Sequence, residues 1–514
     1  MSHLRVLLVR VEDEEPDKMA ELASLDVPNL SGDALCPQTT VDTLEQQTFE
    51  VGNSLLRKLM QAQWEQIDTQ LTQKARQDFP PQHVKSDGSK TLKVATRFGI
   101  VGLKQSILSV ASEAEAVKHH LPVNAVLPEH GGMLITRGLQ EWACLLPQEL
   151  SFASAARLLA WQTQEGGIIA ASTLRNLVRE HGQIVRKAEV AEAKALLKQA
   201  KQGNSPTPLP KLRISSHAPR RRPGWPVELN AAVEEALNAE ASTPPKGVSQ
   251  ADWERVLCVR RTEASPSVNA LRLLGPGISE GEVLLTVDEV LTRAPEKHHF
   301  NELRTACIKT SEGERFLSGK GAQFLLVLTA FTLLCVGQNR SLQVIADGAR
   351  WIRAWFVEIS QSVSNCCLIL DWFHLEKRCT ELCSMICRGI KARKLFLKPL
   401  LGALWRHEID AALAMAEGYR DQAKNLERLD ILLQYLHDRR PYLADYRTRR
   451  ITCQYNGSGH VEKANDLIVA QRQKNTGMHW SEDTSDGLAA LKTLMLNDGW
   501  DRYWKDKEVL PLAA

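Results

Sequence analysis

The chain has 514 residues, of which 24% are charged and 43% hydrophobic, and its formal net charge is only +3. That length exceeds one compact domain, so about two to four modules are expected, and the composition is ordinary for a soluble globular protein. The near balance of charge excludes binding of nucleic acid by overall attraction, so any such role must rest on local basic patches.

Residues 1–120 read as a mostly helical N-terminal region. Leu55, Leu56, Leu59, Met60 and Trp64 recur at helical spacing, and the stretch from Thr91 to Ile107 is strand-like at its start. No chemistry is visible there. Met1 to Arg10 is apolar, but it is too short for a secretory signal and the acidic run Glu12 to Glu15 follows at once. Within 121–200, residues 151–187 read as a helix-turn-helix. Ser151 is placed to cap a first helix with Ala155, Leu158, Leu159 and Trp161 inward, Gly166-Gly167 supplies the turn, and a second helix starts near Ala171 and stops at Gly182. Such a second helix can enter a major groove, offering Arg175 and Arg179 along with Ser172 and Asn176; an ordinary helical hairpin fits the pattern equally well.

Residues 201–275 form a connector. Its stretch 203–226 is rich in Pro and Ser and carries Lys211, Arg213, Arg220, Arg221 and Arg222 with no acidic residue. A segment of that kind builds no core, and its arginines suit phosphate. From 276 to 374 the pattern becomes α/β. Apolar strands are expected at Glu282 to Val290, Thr305 to Lys309, Ser341 to Ala346 and Cys366 to Leu370. Between them, the uncharged run Ala322 to Val336 is too short to span a bilayer and reads as a helix buried against a sheet. Residues 375–450 read as almost all helix. Cys379, Cys383 and Cys387 stack along one face there, with spacing unlike the tight pairs of a zinc site, so they read as small buried apolar residues. Eleven cysteines without a disulfide framework suggest a reducing cytosolic compartment. In 451–514, Ile451 to Tyr455 reads as strand-like or extended, and Gly457-Ser458-Gly459 then opens a helix from His460.

Three carboxylates stand out. Asp288 ends one apolar strand, Asp347 follows another, and Glu462 lies in the first turn of a helix after a Gly-rich loop. In an α/β sheet, functional side chains gather at the carboxyl ends of parallel strands. Clustered carboxylates repel one another and call for divalent cations between them, and two Mg²⁺ or Mn²⁺ ions about 4 Å apart suit in-line attack at a phosphodiester. Asp371 competes with Asp347 for the middle position, since it too ends a strand and has His374 three residues on. Near the glutamate, Arg472, Lys474, His479 and Trp480 combine cations with an aromatic platform suited to unpaired bases. Arg439, Arg440, Arg447, Arg449 and Arg450 cluster before it.

The strings ADGARWI (346–352), LDWFH (370–374), GSGHVEKAN (457–465), RQKNTGMHW (472–480) and NDGWDRYW (497–504), in that order, resemble bacterial insertion-sequence DDE transposases of the Mutator-like superfamily, nearest its Kra-type group. The resemblance covers about residues 280–505. It implies an RNase H-like α/β core with an all-α insertion before the glutamate, and metal-binding catalytic residues Asp288, Asp347 and Glu462. It makes Asp371 and His374 a neighbouring signature pair, which decides between the two aspartates in favour of Asp347. It implies two bound ions, double-stranded DNA partners (terminal inverted repeats and target), a homo-oligomer in the synaptic complex and a bacterial, nucleoid-associated cytoplasmic location. The expected activity is cleavage of transposon ends followed by strand transfer. The competing readings are an RNase H-like nuclease or resolvase without strand transfer, and a domesticated DNA-binding protein, against which the intact carboxylates argue.

Overall fold

Alternation of apolar and polar residues in 84–112 places Leu92, Val94, Val101 and Leu103 on one face of a hairpin, and that face needs a cover. The structure, a computed structural model, describes residues 4–12, 15–27, 37–79, 83–112, 115–122, 134–201, 281–311, 313–337, 340–451, 454–475 and 477–506, with isolated positions between 235 and 253. The basic Pro-rich stretch with Arg220, Arg221 and Arg222 lies outside the described residues. The chain divides into two compact units, Met1–Val178 and Arg179–Ala514.

In the first unit, β1 (Leu4–Glu12) and β2 (Glu15–Val27) form an antiparallel hairpin, and α1 spans Pro37–Gln77. Strands β3 (Val84–Thr96), β4 (Gly99–Ser112), β5 (Glu115–His120) and β6 (Leu134–Ile135) form a sheet of order β5-β4-β3-β6. Met60 and Trp64 of α1 pack on Val94, Val101 and Leu103. The Trp64 indole donates to the Lys104 carbonyl at 2.9 Å, and the Asp68 carboxylate accepts from Ser106. Among the described residues of 1–120 strand therefore outweighs helix, which corrects the expected mainly helical region. The reason is physical: polar β3 residues from Lys85 to Lys90 face solvent and hide the period-two pattern.

Helices α2 (Arg137–Leu145), α3 (Phe152–Thr163) and α4 (Ala171–Lys201) follow. Ser151 caps α3 by accepting from the Ser154 amide. The inner face of α3 is Phe152, Ala155, Leu159 and Thr163; Leu158 is exposed and Trp161 is 67% exposed, so those two do not pack inward as expected. Nor does α4 stop at Gly182. It runs on for five more turns' worth of chain to Lys201 because Gly182 serves a close helix crossing: a Cβ there would meet the Gly487 Cα at 2.4 Å.

The second unit is built on a five-stranded mixed sheet. Strands β7 (Glu282–Arg293), β8 (Phe300–Thr310) and β9 (Gly313–Gly319) are antiparallel neighbours. Helix α5 (Gly321–Val336) leads to β10 (Ser341–Ala346), and α6 (Arg350–Ser360) to β11 (Cys366–Leu370). Both late strands run parallel to β7, giving the order β11-β10-β7-β8-β9. The α/β expectation for this half holds, with β9 a strand the sequence pattern did not announce. The uncharged helix α5 is buried with α6 against Val283, Leu285, Val287 and Val344. Among the described residues no helix is long and apolar enough to cross a membrane.

Residues 372–451 are helical: α7 (Trp372–Ile386), α8 (Gly389–Trp405), α9 (Ile409–Gly418), α10 (Leu426–Arg439) and α11 (Tyr446–Ile451). They enclose a core of their own that includes Cys379, Cys383 and Cys387, all buried, and burial pushes the Cys383 thiol up to about 12. Helix α12 (Gly459–Asn465) continues through a π turn, Asp466–Ala470, into Gln471–Gln473, and α13 spans Glu482–Leu496. Val461, Ala464, Ile468 and Ala489 cover the face of β7 and β8 opposite α5. The tail seats Tyr503 and Trp504 on His181 of α4.

Gly182→Ala is expected to destabilise the protein by about 1–3 kcal/mol, the usual cost of overpacking, seen as a lowered urea midpoint. Gly418→Ala, where an added Cβ meets nothing within 4 Å, should hold or raise the midpoint.

Candidate active site

Strand β7 is buried from Val283 to Val287, and Asp288 is the first of its residues to emerge. Parallel pairing sets Ile345 opposite Thr286 and Ala346 opposite Leu370. Continued one or two residues, that register aligns Asp288, Asp347 and Asp371 in one row across three strands, each about 4.8 Å from the next. The Asp371 amide donates to the Ala346 carbonyl at 2.8 Å, which fixes the end of the row.

The three aspartates differ in what surrounds them. Asp347 Oδ1 accepts from the Ala349 amide at 2.8 Å, and among the described residues Oδ2 has no protein donor. Gly348 behind it has φ +75°, and a Cβ there would stand 3.0 Å from Leu370 Cδ1, so glycine alone makes this turn without strain. Asp288 Oδ2 accepts from Asn465 Nδ2 at 2.7 Å, and Thr305 donates in turn to Asn465 Oδ1. Asp371 is 0% exposed. Its Oδ1 caps α7 by accepting from the Phe373 and His374 amides at 2.6 and 3.1 Å, and its Oδ2 accepts from both the amide and the hydroxyl of Ser458. Four donors occupy the lone pairs of one carboxylate.

Those Ser458 contacts seat the Gly457-Ser458-Gly459 loop, and α12 begins from it. Glu462 is exposed in the first turn, and its carboxylate, the Asp371 carboxylate and the His374 imidazole have ligand atoms within 4.8 Å of one another. His374 Nδ1 stands 3.6 Å from Asp371 Oδ1, an ion-pair contact rather than a hydrogen bond.

Electrostatics tie the residues together. Burial, with the charge of Asp347, pushes the Asp288 carboxyl up to about 6 against the Glu289 amide, His374 and Asn465, which lower it. Asp371 holds the His374 imidazolium above its ordinary range, and Asp347 and Asp288 add to this. Burial works to raise Asp371, but His374 and Ser458 outweigh it and hold the carboxyl below its usual range. The result is a half-buried carboxylate pair beside an imidazole whose protonated form is favoured, a setting that favours added positive charge.

The residues expected to meet DNA are dispersed. Arg175 is exposed with its guanidinium 5.6 Å from the Phe152 ring centre. Arg179 pairs with Asp483 at 3.1 Å. Arg472 is buried with its guanidinium 4.7 Å over the buried Trp480 ring, whose indole donates to the Gln473 carbonyl at 2.9 Å. These two stack on each other and present no open face to a base. Lys474 and His479 are exposed. Arg440 pairs with Asp410 through both nitrogens at 2.7 and 2.8 Å, and Arg449 donates to Gln343 and the Tyr455 carbonyl. Trp355 is buried in the core behind Asp347, and Trp351 donates to Glu289 at 3.0 Å.

Asn465 and Ser458 are the site residues that sequence reasoning passed over. Asn465 lies three residues after Glu462, a spacing that puts both on neighbouring faces of one helix. Ser458 read only as part of the Gly-rich loop that opens the helix. A scan against protein-family models finds no match to the chain, and a search of curated proteins finds none either.

Asp288→Asn tests the repulsion. A carboxyl raised in the folded state from 3.8 to about 6 stabilises the fold at low pH and loses that stability as pH rises through about 6. The metal-free Asn variant should match the wild type below about pH 4 and exceed its stability above pH 6, by on the order of 1–3 kcal/mol. Thermal melts across this range check it; a gap independent of pH would remove the repulsion.

Proposed function

We propose that the protein is a DDE transposase whose second unit is an RNase H-like nuclease core. The observation that carries this reading is the sheet order 3-2-1-4-5 in β9-β8-β7-β10-β11, with Asp288 within β7 in register with Asp347 just after the parallel strand β10, and Glu462 on a helix beyond a helical segment. The ordered motifs from ADGARWI to NDGWDRYW support the same family.

Asp288, Asp347 and Glu462 fit divalent cations. All three offer carboxylate oxygens, Asp347 keeps Oδ2 open among the described residues, and the Asp288 carboxyl, raised by burial and by the charge of Asp347, gains from a cation beside it. Bound Mg²⁺ or Mn²⁺, two ions in this reading, would activate a hydroxyl and stabilise a leaving oxygen at phosphorus. Asp371 is not a ligand here, because its oxygens already serve α7 and Ser458. It acts as a positioning residue that brings Glu462 to the sheet. Asn465 orients Asp288, and His374 supplies positive charge toward a phosphate oxygen. Hydrolysis puts the water oxygen on phosphorus and frees a 3′-hydroxyl at the transposon end. That hydroxyl then replaces the 3′ oxygen of a target phosphodiester.

Double-stranded DNA is the partner of this reading, with terminal inverted repeats held by the α3–α4 pair as a helix-turn-helix and by the exposed Arg175, Lys474 and His479. Synapsis of two ends calls for a homo-oligomer acting at bacterial DNA. The alternative is a nuclease of the same fold that cleaves without joining.

With DNA bearing the inverted repeats that should flank the gene, Asp347→Ala is expected to lower Mg²⁺-dependent end cleavage by more than about a hundredfold while end binding persists, and Asn465→Ala by about 10–100-fold. Cleavage that survives Asp347→Ala would remove that aspartate from the site. Cleavage without joined product in a strand-transfer assay would favour the nuclease.

A further inference from the structure

Strands β8 and β9 carry a second group of metal-ligand side chains. Cys307 lies opposite Phe316, and Lys309 opposite Glu314. The two-residue repeat of a strand puts Cys307, Lys309, Glu314 and Phe316 on one face. Cys307 and Phe316 pack there with Val461 and Ala464 of α12. His460, in the first turn of α12, brings its Nδ1 to 3.9 Å from Glu314 Oε2. The Cys307 sulfur, a Glu314 oxygen and a His460 nitrogen all lie within 4.8 Å of one another.

We infer that Cys307, Glu314 and His460 bind one borderline-soft divalent cation, Zn²⁺ by preference, and so pin the start of α12 to β8 and β9. A tetrahedral zinc ion holds its thiolate, imidazole and carboxylate donors about 3.3–3.6 Å apart, which small rotamer changes reach from the present separation. Three protein ligands leave a fourth position for water. A thiolate together with an imidazole selects zinc or cobalt over magnesium, so this site differs in kind from the all-carboxylate set at Asp288, Asp347 and Glu462. Cys307 is 1% and Glu314 8% exposed, while His460 reaches the surface and gives the ion a way in. Lys309, on the same face, donates to the Tyr455 hydroxyl at 3.3 Å. Tyr455 also sets its ring edge-on to His460, with centroids 4.9 Å apart. The site controls Glu462 through geometry, since His460 is two residues before it on the same helix. It does not depend on the transposase reading.

Cobalt reports thiolate ligation directly. The full chain, reduced and stripped of metal, should bind one equivalent of Co²⁺ in excess Mg²⁺ with a thiolate-to-cobalt charge-transfer band in the near ultraviolet, and Zn²⁺ should bleach it. Cys307→Ser should abolish the band, and His460→Ala should weaken Co²⁺ binding by at least about tenfold. Asp347→Asn should retain it, which separates this site from the carboxylate set. The inference fails if the wild-type chain gives no such band, a result that needs no variant to fold, or if the band persists in Cys307→Ser.

Discussion

The parallel register of β7, β10 and β11 is the constraint on which the second unit turns. Because strand partners are fixed residue to residue, three aspartates far apart in sequence fall into one row at the sheet's carboxyl edge. Like charges at strand spacing in a half-buried setting are unfavourable. The fold answers that repulsion differently at each position. Asp371 is neutralised in effect by four donors and a neighbouring imidazole, Asp288 shares one oxygen with Asn465, and Asp347 keeps an oxygen open. The row therefore resolves into one carboxylate whose oxygens are filled by protein donors and two that are less fully bonded.

This division explains why Asp347 and Asp371 could not be told apart by spacing. Both follow short apolar strands, and both precede a helix. What separates them is the identity of the donors that reach each carboxylate, and the decisive donors for Asp371 come from Ser458, far along the chain. Only the motif resemblance spoke to the choice at the level of sequence. The α/β character, the strand end before Asp347 and the helical run after Leu370 were legible because long apolar or periodic runs dominate local choice; the expected strand end at Asp288 is corrected, since β7 runs on to Arg293 in pairing with β8. The sheet at 84–120 was not, since its outer residues are polar and its cover comes from α1. Gly182 misled for a related reason: a glycine that ends a helix and one that admits a neighbouring helix look alike until the partner, Gly487, is known. Arg472 and Trp480 looked like a platform for bases because cation and aromatic side chains suit both DNA and each other, and here they satisfy each other.

The strain at Asp288 and the order around it belong together. A carboxyl held near 6 by burial and a like charge persists only where its surroundings are fixed. Thr305 supplies that fixity through Asn465, linking β8 to α12 and so to Glu462. One hydrogen-bond chain thus couples the position of the glutamate's helix to the position of the first aspartate. Movement of α12 would change both at once.

The helical insertion raises a different question, since some eighty residues separate β11 from the loop that must return to it. The excursion closes on itself. Tyr446 donates its hydroxyl to the Leu370 carbonyl at 2.8 Å, Asn456 donates to the Tyr446 carbonyl at 2.7 Å, and the Trp372 amide donates to the Asn456 carbonyl at 3.0 Å. Trp372, Trp405 and Tyr446 pack together at this junction, with ring centres 4.7 to 6.0 Å apart and Trp372 edge-on to Trp405. Closure entropy rises only slowly with loop length, and the helices offset it with their own apolar core. Ser458 is therefore delivered to Asp371 by a packed body rather than by a slack loop. The length of the insertion is compatible with a precise site because its two ends are bonded to each other before the glutamate's helix begins.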